Sequence, residues 1–127
     1  MDETQRMAMA GIHTLERELI VRDFVTVLNE GQLCDIRPFL TESVQYRPSA
    51  RLVIEGREAV MAMLRDLKDT FETWTLSLVH VAVCGDTVLT EQRLDIARPG
   101  TRSRCLAGFG SFRLDEFRIT AWHQLFA

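Results

Sequence analysis

Three observations predict an α+β fold with an antiparallel sheet. The apolar residues recur at helical spacing up to Phe71, and after it the period changes from 3.6 to 2. The period-2 part contains four strand-like stretches joined by short turn signals, the pattern of a meander rather than of alternating strands and helices. Gly108 and Gly110 fall inside one of those stretches, where glycine marks a bulge or a sharp bend. Together these describe a curved antiparallel sheet wrapped around N-terminal helices, with a cone-shaped pocket on its helix-facing side.

The elements follow in order. Residues 1–13 are acidic and polar and read as an N-terminal tail before a domain spanning residues 14–127. Leu15, Leu19, Ile20, Phe24, Val27 and Leu28 predict a helix from Thr14, a capping residue, to Glu30, with Gly31 as its stop. Leu33 to Leu40 reads as a short helix disturbed by Pro38. Val44 to Arg47 reads as a strand, and Pro48 to Glu55 as irregular. Gly56 opens an amphipathic helix with Val60, Met63, Leu64, Leu67 and Phe71 on one side.

From Thr73 to Val83, Trp74, Leu76 and Leu78 alternate with Thr75, Ser77 and Val79. A turn at Cys84-Gly85-Asp86 leads to a strand from Thr87 to Arg98, broken by Pro99-Gly100. Arg104 to Leu114 and Phe117 to Phe126 are the last two strands, joined at Asp115-Glu116.

Composition narrows the function. The chain has 127 residues, enough for one domain with a real core. Its net charge is −3 and its Lys and Arg residues are scattered, so nucleic acid has no electrostatic footprint to bind. No apolar run approaches the ~18 residues of a membrane span, and the N-terminus lacks a signal-peptide core. A cytoplasmic, reducing setting is the expectation. Cys34, Cys84 and Cys105 are odd in number and far apart, and no His, Asp or Glu stands at metal-ligand spacing. Gly108-Phe109-Gly110 lies in a strand with no helix after it, so it is no phosphate loop. No cofactor or metal is expected.

The informative stretch is Glu91-Gln92-Arg93-Leu94-Asp95-Ile96. Strand alternation puts Glu91, Arg93 and Asp95 on one face with Leu89 and Ala97. Val88, Thr90, Gln92, Leu94 and Ile96 take the other. A row of two carboxylates around a guanidinium either stands in water or lines a pocket. In a pocket, Arg93 and Asp95 would form a working pair, with Glu91 about 6.6 Å along the strand as a second carboxylate. His80 shares the face of Trp74, Leu76 and Leu78 and is a candidate proton carrier. His123 alternates with Gln124 and faces away from any pocket that Gln124 enters.

Several pieces, in order, resemble the limonene-1,2-epoxide hydrolase family, within the nuclear-transport-factor-like and SnoaL-like folds. They are Tyr46, the Gly56-Arg57-Glu58-Ala59-Val60 helix start, Arg93-Leu94-Asp95, Gly110-Ser111-Phe112 and Ile119 to Phe126. The resemblance implies an α+β barrel, a homodimer and a cofactor-free enzyme acting on a small apolar, terpenoid- or polyketide-like molecule. It implies Arg93 as the central cation, Asp95 as the acid, and Tyr46 as a holder of water. Trp122, Phe112, Phe126 and Leu67 would be pocket wall. Two positions depart from the pattern. Pro48 stands where the family has Asn, and Gln124 where it has the base Asp. Glutamine orients water but takes no proton. Epoxide hydrolysis, an isomerase or cyclase reaction, and ligand binding without catalysis therefore all stay open.

Overall fold

The structure, a computed structural model, describes residues 1–127. Helix α1 runs from Glu3 to Glu30. The stretch expected as a tail is thus helical. Asp2 accepts from the Gln5 backbone N–H and Gln5 reaches back to Asp2, a capping box that starts the helix well before Thr14. Thr14 is no cap; its hydroxyl bonds the carbonyl of Ala10 one turn earlier, at 2.9 Å.

Only the C-terminal half of α1 is packed, through Val21, Phe24, Val25 and Leu28. Its end is tied down by polar contacts. The Gly31 N–H donates to Val27, Lys68 Nζ donates to the Leu28 carbonyl at 2.7 Å, and the Asn29 amide bonds both the N–H and C=O of Leu76.

Two single 3-10 turns, Leu33–Asp35 and Arg37–Phe39, replace the expected second helix. Strand β1, Leu40–Ser49, and β2, Leu52–Glu55, form a hairpin, so the stretch expected as irregular is a short edge strand. Gly56 (φ +92°) lies in the region that favours glycine and turns the chain into α2, Arg57–Thr70. The remaining strands are β3 (Thr73–Cys84), β4 (Thr87–Ala97), β5 (Arg104–Asp115) and β6 (Arg118–Phe126).

The six strands form one sheet in the order β2-β1-β6-β5-β4-β3. All neighbours are antiparallel except β1 and β6, which run parallel. The sheet stays open, with β2 and β3 as free edges, and is the curved sheet over N-terminal helices that the sequence predicts. Helix α1 lies against β3 and α2 against β1 on the same, inner side. The core lies between them, with Phe24, Tyr46, Phe112 and Trp122 fully enclosed.

Two irregularities set which side chains face in. Pairing shifts between Leu78 and His80, so β3 holds an extra residue there. It also shifts where Arg113 pairs with Ala121 but Leu114 pairs with Ile119. Such bulges bend a strand and reverse its alternation beyond them. Strand β4 pairs with β5 without a break from Thr87 to Ile96.

Candidate functional site

The inner surface of β4 consists of Val88, Thr90, Gln92 and Leu94, all buried, followed by half-buried Ile96. Between them Arg93 is exposed, and Glu91 and Asp95 are half-buried on the outer surface. The placement of Arg93 and Asp95 in a pocket is therefore corrected. The row Val88-Leu94-Ile96 buries more apolar area than Leu89-Arg93-Asp95 could, and unbroken alternation forces the charged row outward. Asp95 stands opposite Cys105 on β5, and its hydrogen bond holds that exposed thiol above its ordinary pKa.

Glu91 lies on the same outer surface and meets His80, with 3.3 Å between Nδ1 and Oε1. His80 was expected beside Leu78; the extra residue at Val79 turns it out instead, and Val81 and Val83 take the inward positions. Neither Glu91 nor His80 faces the helices.

On the inner surface a polar chain crosses four strands, β1, β6, β5 and β4. The Tyr46 hydroxyl donates to Gln124 Oε1 at 2.7 Å, and Gln124 Nε2 donates to Gln92 Oε1 at 3.3 Å. Gln92 Nε2 donates to Thr90 Oγ1 at 2.7 Å, and Thr90 Oγ1 donates to the Gly110 carbonyl at 3.1 Å. Tyr46, Gln92 and Gln124 are 1%, 0% and 5% exposed, so the links among these three side chains are buried. Burial pushes the Tyr46 phenol well above its usual range, so it stays protonated. Gly110 makes room for this chain. A Cβ there would lie 2.3 Å from Gln92 Nε2 and 3.1 Å from the His123 carbonyl.

The chain ends at a cleft of about 330 Å³ between α2 and the sheet. Tyr46 and Gln124 stand at its polar side; Leu67, Phe71, Trp74, Leu94, Leu106 and Phe126 make up most of the apolar remainder. Pro48 lies at the same cleft. Leu67 and Phe126 line it, whereas Trp122 and Phe112, expected as pocket wall, are fully buried core beneath it. Trp122 stacks on Tyr46 at 4.1 Å and so fixes the phenol from behind. No carboxylate, histidine or lysine lines the cleft. Gln92 does not stand out in the sequence as a site residue, because a lone amide in an apolar row carries no charge to mark it. The signal was present: Gln92 shares its face with Val88, Leu94 and Ile96.

The outer surface has its own shallow depression, bounded by exposed Leu89, Phe109 and Leu125 with Arg47, Ser111 and His123. Partial burial and the nearby Arg47 lower the His123 pKa. Its folded value lies below the unfolded one, near 6.5, so the unfolded state binds more protons as pH falls. Its contribution to stability is complete above about pH 6.5 and is lost as pH falls through the depressed value. Denaturant midpoints should therefore decline slightly between pH 7.5 and 5, and His123→Gln should flatten that decline. Glu58, whose pKa Arg37 lowers, enters only at more acid pH. An unchanged slope in His123→Gln would remove this assignment.

No helix is long and apolar enough to cross a membrane, and no three His, Cys, Asp or Glu side chains cluster to hold a metal ion.

An open curved sheet over two helices, with an internal cleft behind its end, defines the class. The chain belongs to the SnoaL-like domain family, whose profile matches residues 21–122. Among solved structures it is similar to an LEH-like epoxide hydrolase of M. tuberculosis, at 22% identity over 90% of this chain and 84% of that one, with a TM-score of 0.81. It is similar to Bal32a from a soil-derived mobile gene cassette, at 19% identity over 90% and 91% of the two chains, with a TM-score of 0.81. A putative SnoaL-like polyketide cyclase from Shewanella putrefaciens CN-32 matches at 14% identity over 87% and 88%, with a TM-score of 0.77. At these identities the likeness is one of fold.

Proposed function

We propose that this protein binds a neutral, mostly apolar small molecule in the inner cleft and does not hydrate epoxides. One observation carries the reading: the side chains at the polar end of the cleft are Tyr46, Ser49 and Gln124, with Leu94 beside them, and none of them is a base or a charged group. Opening an epoxide with water asks for a base for the water and an acid for the oxygen. Glutamine supplies neither, and the protonated phenol of Tyr46 already donates to Gln124. A charged ligand would find no counter-ion there and would lose its hydration for nothing. The second N–H of Gln124 Nε2 and the Ser49 hydroxyl are left to donate here, which suits a ligand with a carbonyl, ether or epoxide oxygen. An isomerase or cyclase using the same cleft would also need a base, and none lines it.

The test uses Trp74, which lines the cleft, as a fluorescent reporter. Cyclic ketones and epoxides, limonene oxide among them, should quench it saturably. Leu106→Trp, which fills the cleft, should abolish saturable binding of those ligands, read by calorimetry. Gln124→Leu should weaken oxygen-bearing ligands about tenfold, the worth of one hydrogen bond, and leave the parent hydrocarbons unchanged. In heavy-oxygen water the same epoxides should give no labelled diol. Labelled diol that disappears in Asp95→Asn would overturn the proposal and return the outer row to catalysis.

A further inference from the structure

Helix α1 carries two apolar rows that face opposite ways. Val21, Phe24, Val25 and Leu28 face the sheet and are buried. At 3.6 residues per turn, Ala8, Ile12, Leu15 and Leu19 fall in one line on the far side of the helix. Ile12, Leu15 and Leu19 are 49%, 62% and 56% exposed. From Glu3 to Leu15 every residue is exposed, so none of that part of the helix is packed into the core. An isolated helix of such length is marginal in water. The row is spaced 4, 3, 4, the spacing of a two-helix seam rather than of a face lying on a sheet.

We propose that α1 pairs antiparallel with α1 of a second copy of this chain, with Ala8 against the second copy's Leu19 and Ile12 against its Leu15. The row is self-complementary in this direction, because 8 with 19 and 12 with 15 share one midpoint. Charge selects the same direction. Antiparallel pairing sets Glu18 by the second copy's Gly11 and Glu16 by its Met9. Parallel pairing would set Glu18 by the second copy's Asp23, carboxylate against carboxylate. The row ends at Arg22, which is held by Glu18 at 3.0 Å. Because the seam faces away from each sheet, the two domains lie on outer sides of the pair and do not collide. The contact is shorter than the roughly 1,200 Å² that stable complexes bury, so association is weak and begins in the micromolar range.

The experiment uses the full chain. Sedimentation velocity should show reversible, concentration-dependent association that Ile12→Glu with Leu15→Glu removes and Phe109→Glu, on the outer sheet surface, leaves intact. In a background with Cys34, Cys84 and Cys105 changed to Ser, Ala8→Cys and Leu19→Cys proteins should form a disulfide dimer when mixed, and neither should do so alone. A chain that stays monomeric at all concentrations overturns the proposal. So does association lost in Phe109→Glu but kept in the helix variant, which would put the contact on the sheet. Ala8→Cys that cross-links to itself would overturn the antiparallel direction.

Discussion

Gln92→Glu should destabilise the protein by about 3–4 kcal/mol at pH 7. Gln92 is 0% exposed and its amide is held by Thr90 and Gln124. A carboxylate there would be stripped of water with no cation within the inner row. Fully buried glutamates titrate near pH 8–9, against about 4.3 unfolded. At pH 7 the folded side chain must hold a proton that the unfolded one has given up, so the roughly 2.7 pH units between 4.3 and 7, at about 1.36 kcal/mol each, set the cost. The sign follows. The folded pKa is raised, so the variant's stability is complete below about pH 4.3 and is lost as pH rises toward 8. Its denaturant midpoint should be higher at pH 5 than at pH 8, opposite to the slight decline toward acid expected for the parent. Arg93→Ala and Asp95→Asn, one strand position away but outward, should change stability by only about 0.5 kcal/mol. The reverse ranking would mean that the sheet is inside out, with the working pocket on the charged face.

Trp122→Ala should cost about 3–5 kcal/mol, the range for deleting a fully buried aromatic. Trp122 meets Phe24 of α1 edge-on at 5.1 Å, stacks on Tyr46 of β1 at 4.1 Å and faces Phe112 of β5 at 5.8 Å. One side chain thus joins the helix to three strands. For a chain of this size such a loss lowers Tm by roughly 10–20 °C, which a thermal melt reads directly. The indole Nε1 has no hydrogen-bond partner, so Trp122→Phe should cost only about 1–2 kcal/mol. The alanine variant should also loosen Tyr46 and weaken ligands held at Gln124. A cost under 1 kcal/mol would show that the core is centred elsewhere.

The strand pattern was legible because period-2 alternation is written directly in residue order. Thr73–Cys84, Thr87–Ala97, Arg104–Asp115 and the last strand lie close to where their alternation and turn residues put them. The early start of α1 was less legible. The Asp2–Gln5 box was there to be read, but the apolar row that follows points away from the core and breaks the periodicity of the helix as a whole. Strand β2 was hidden because four residues at an edge carry almost no burial pattern.

The site separates what each level determines. Sequence alone established that Glu91, Arg93 and Asp95 share one face of β4 and that Gln92 and Leu94 share the other, because alternation is a property of the extended backbone. It also established that Gln124 could not act as a base. Only tertiary structure decided which face met the helices, since that depends on the area each face buries against α1 and α2. Only the pairing of β3 with β4 revealed the extra residue that turns His80 outward. A bulge is a mismatch between two strands, and no single strand's sequence contains it.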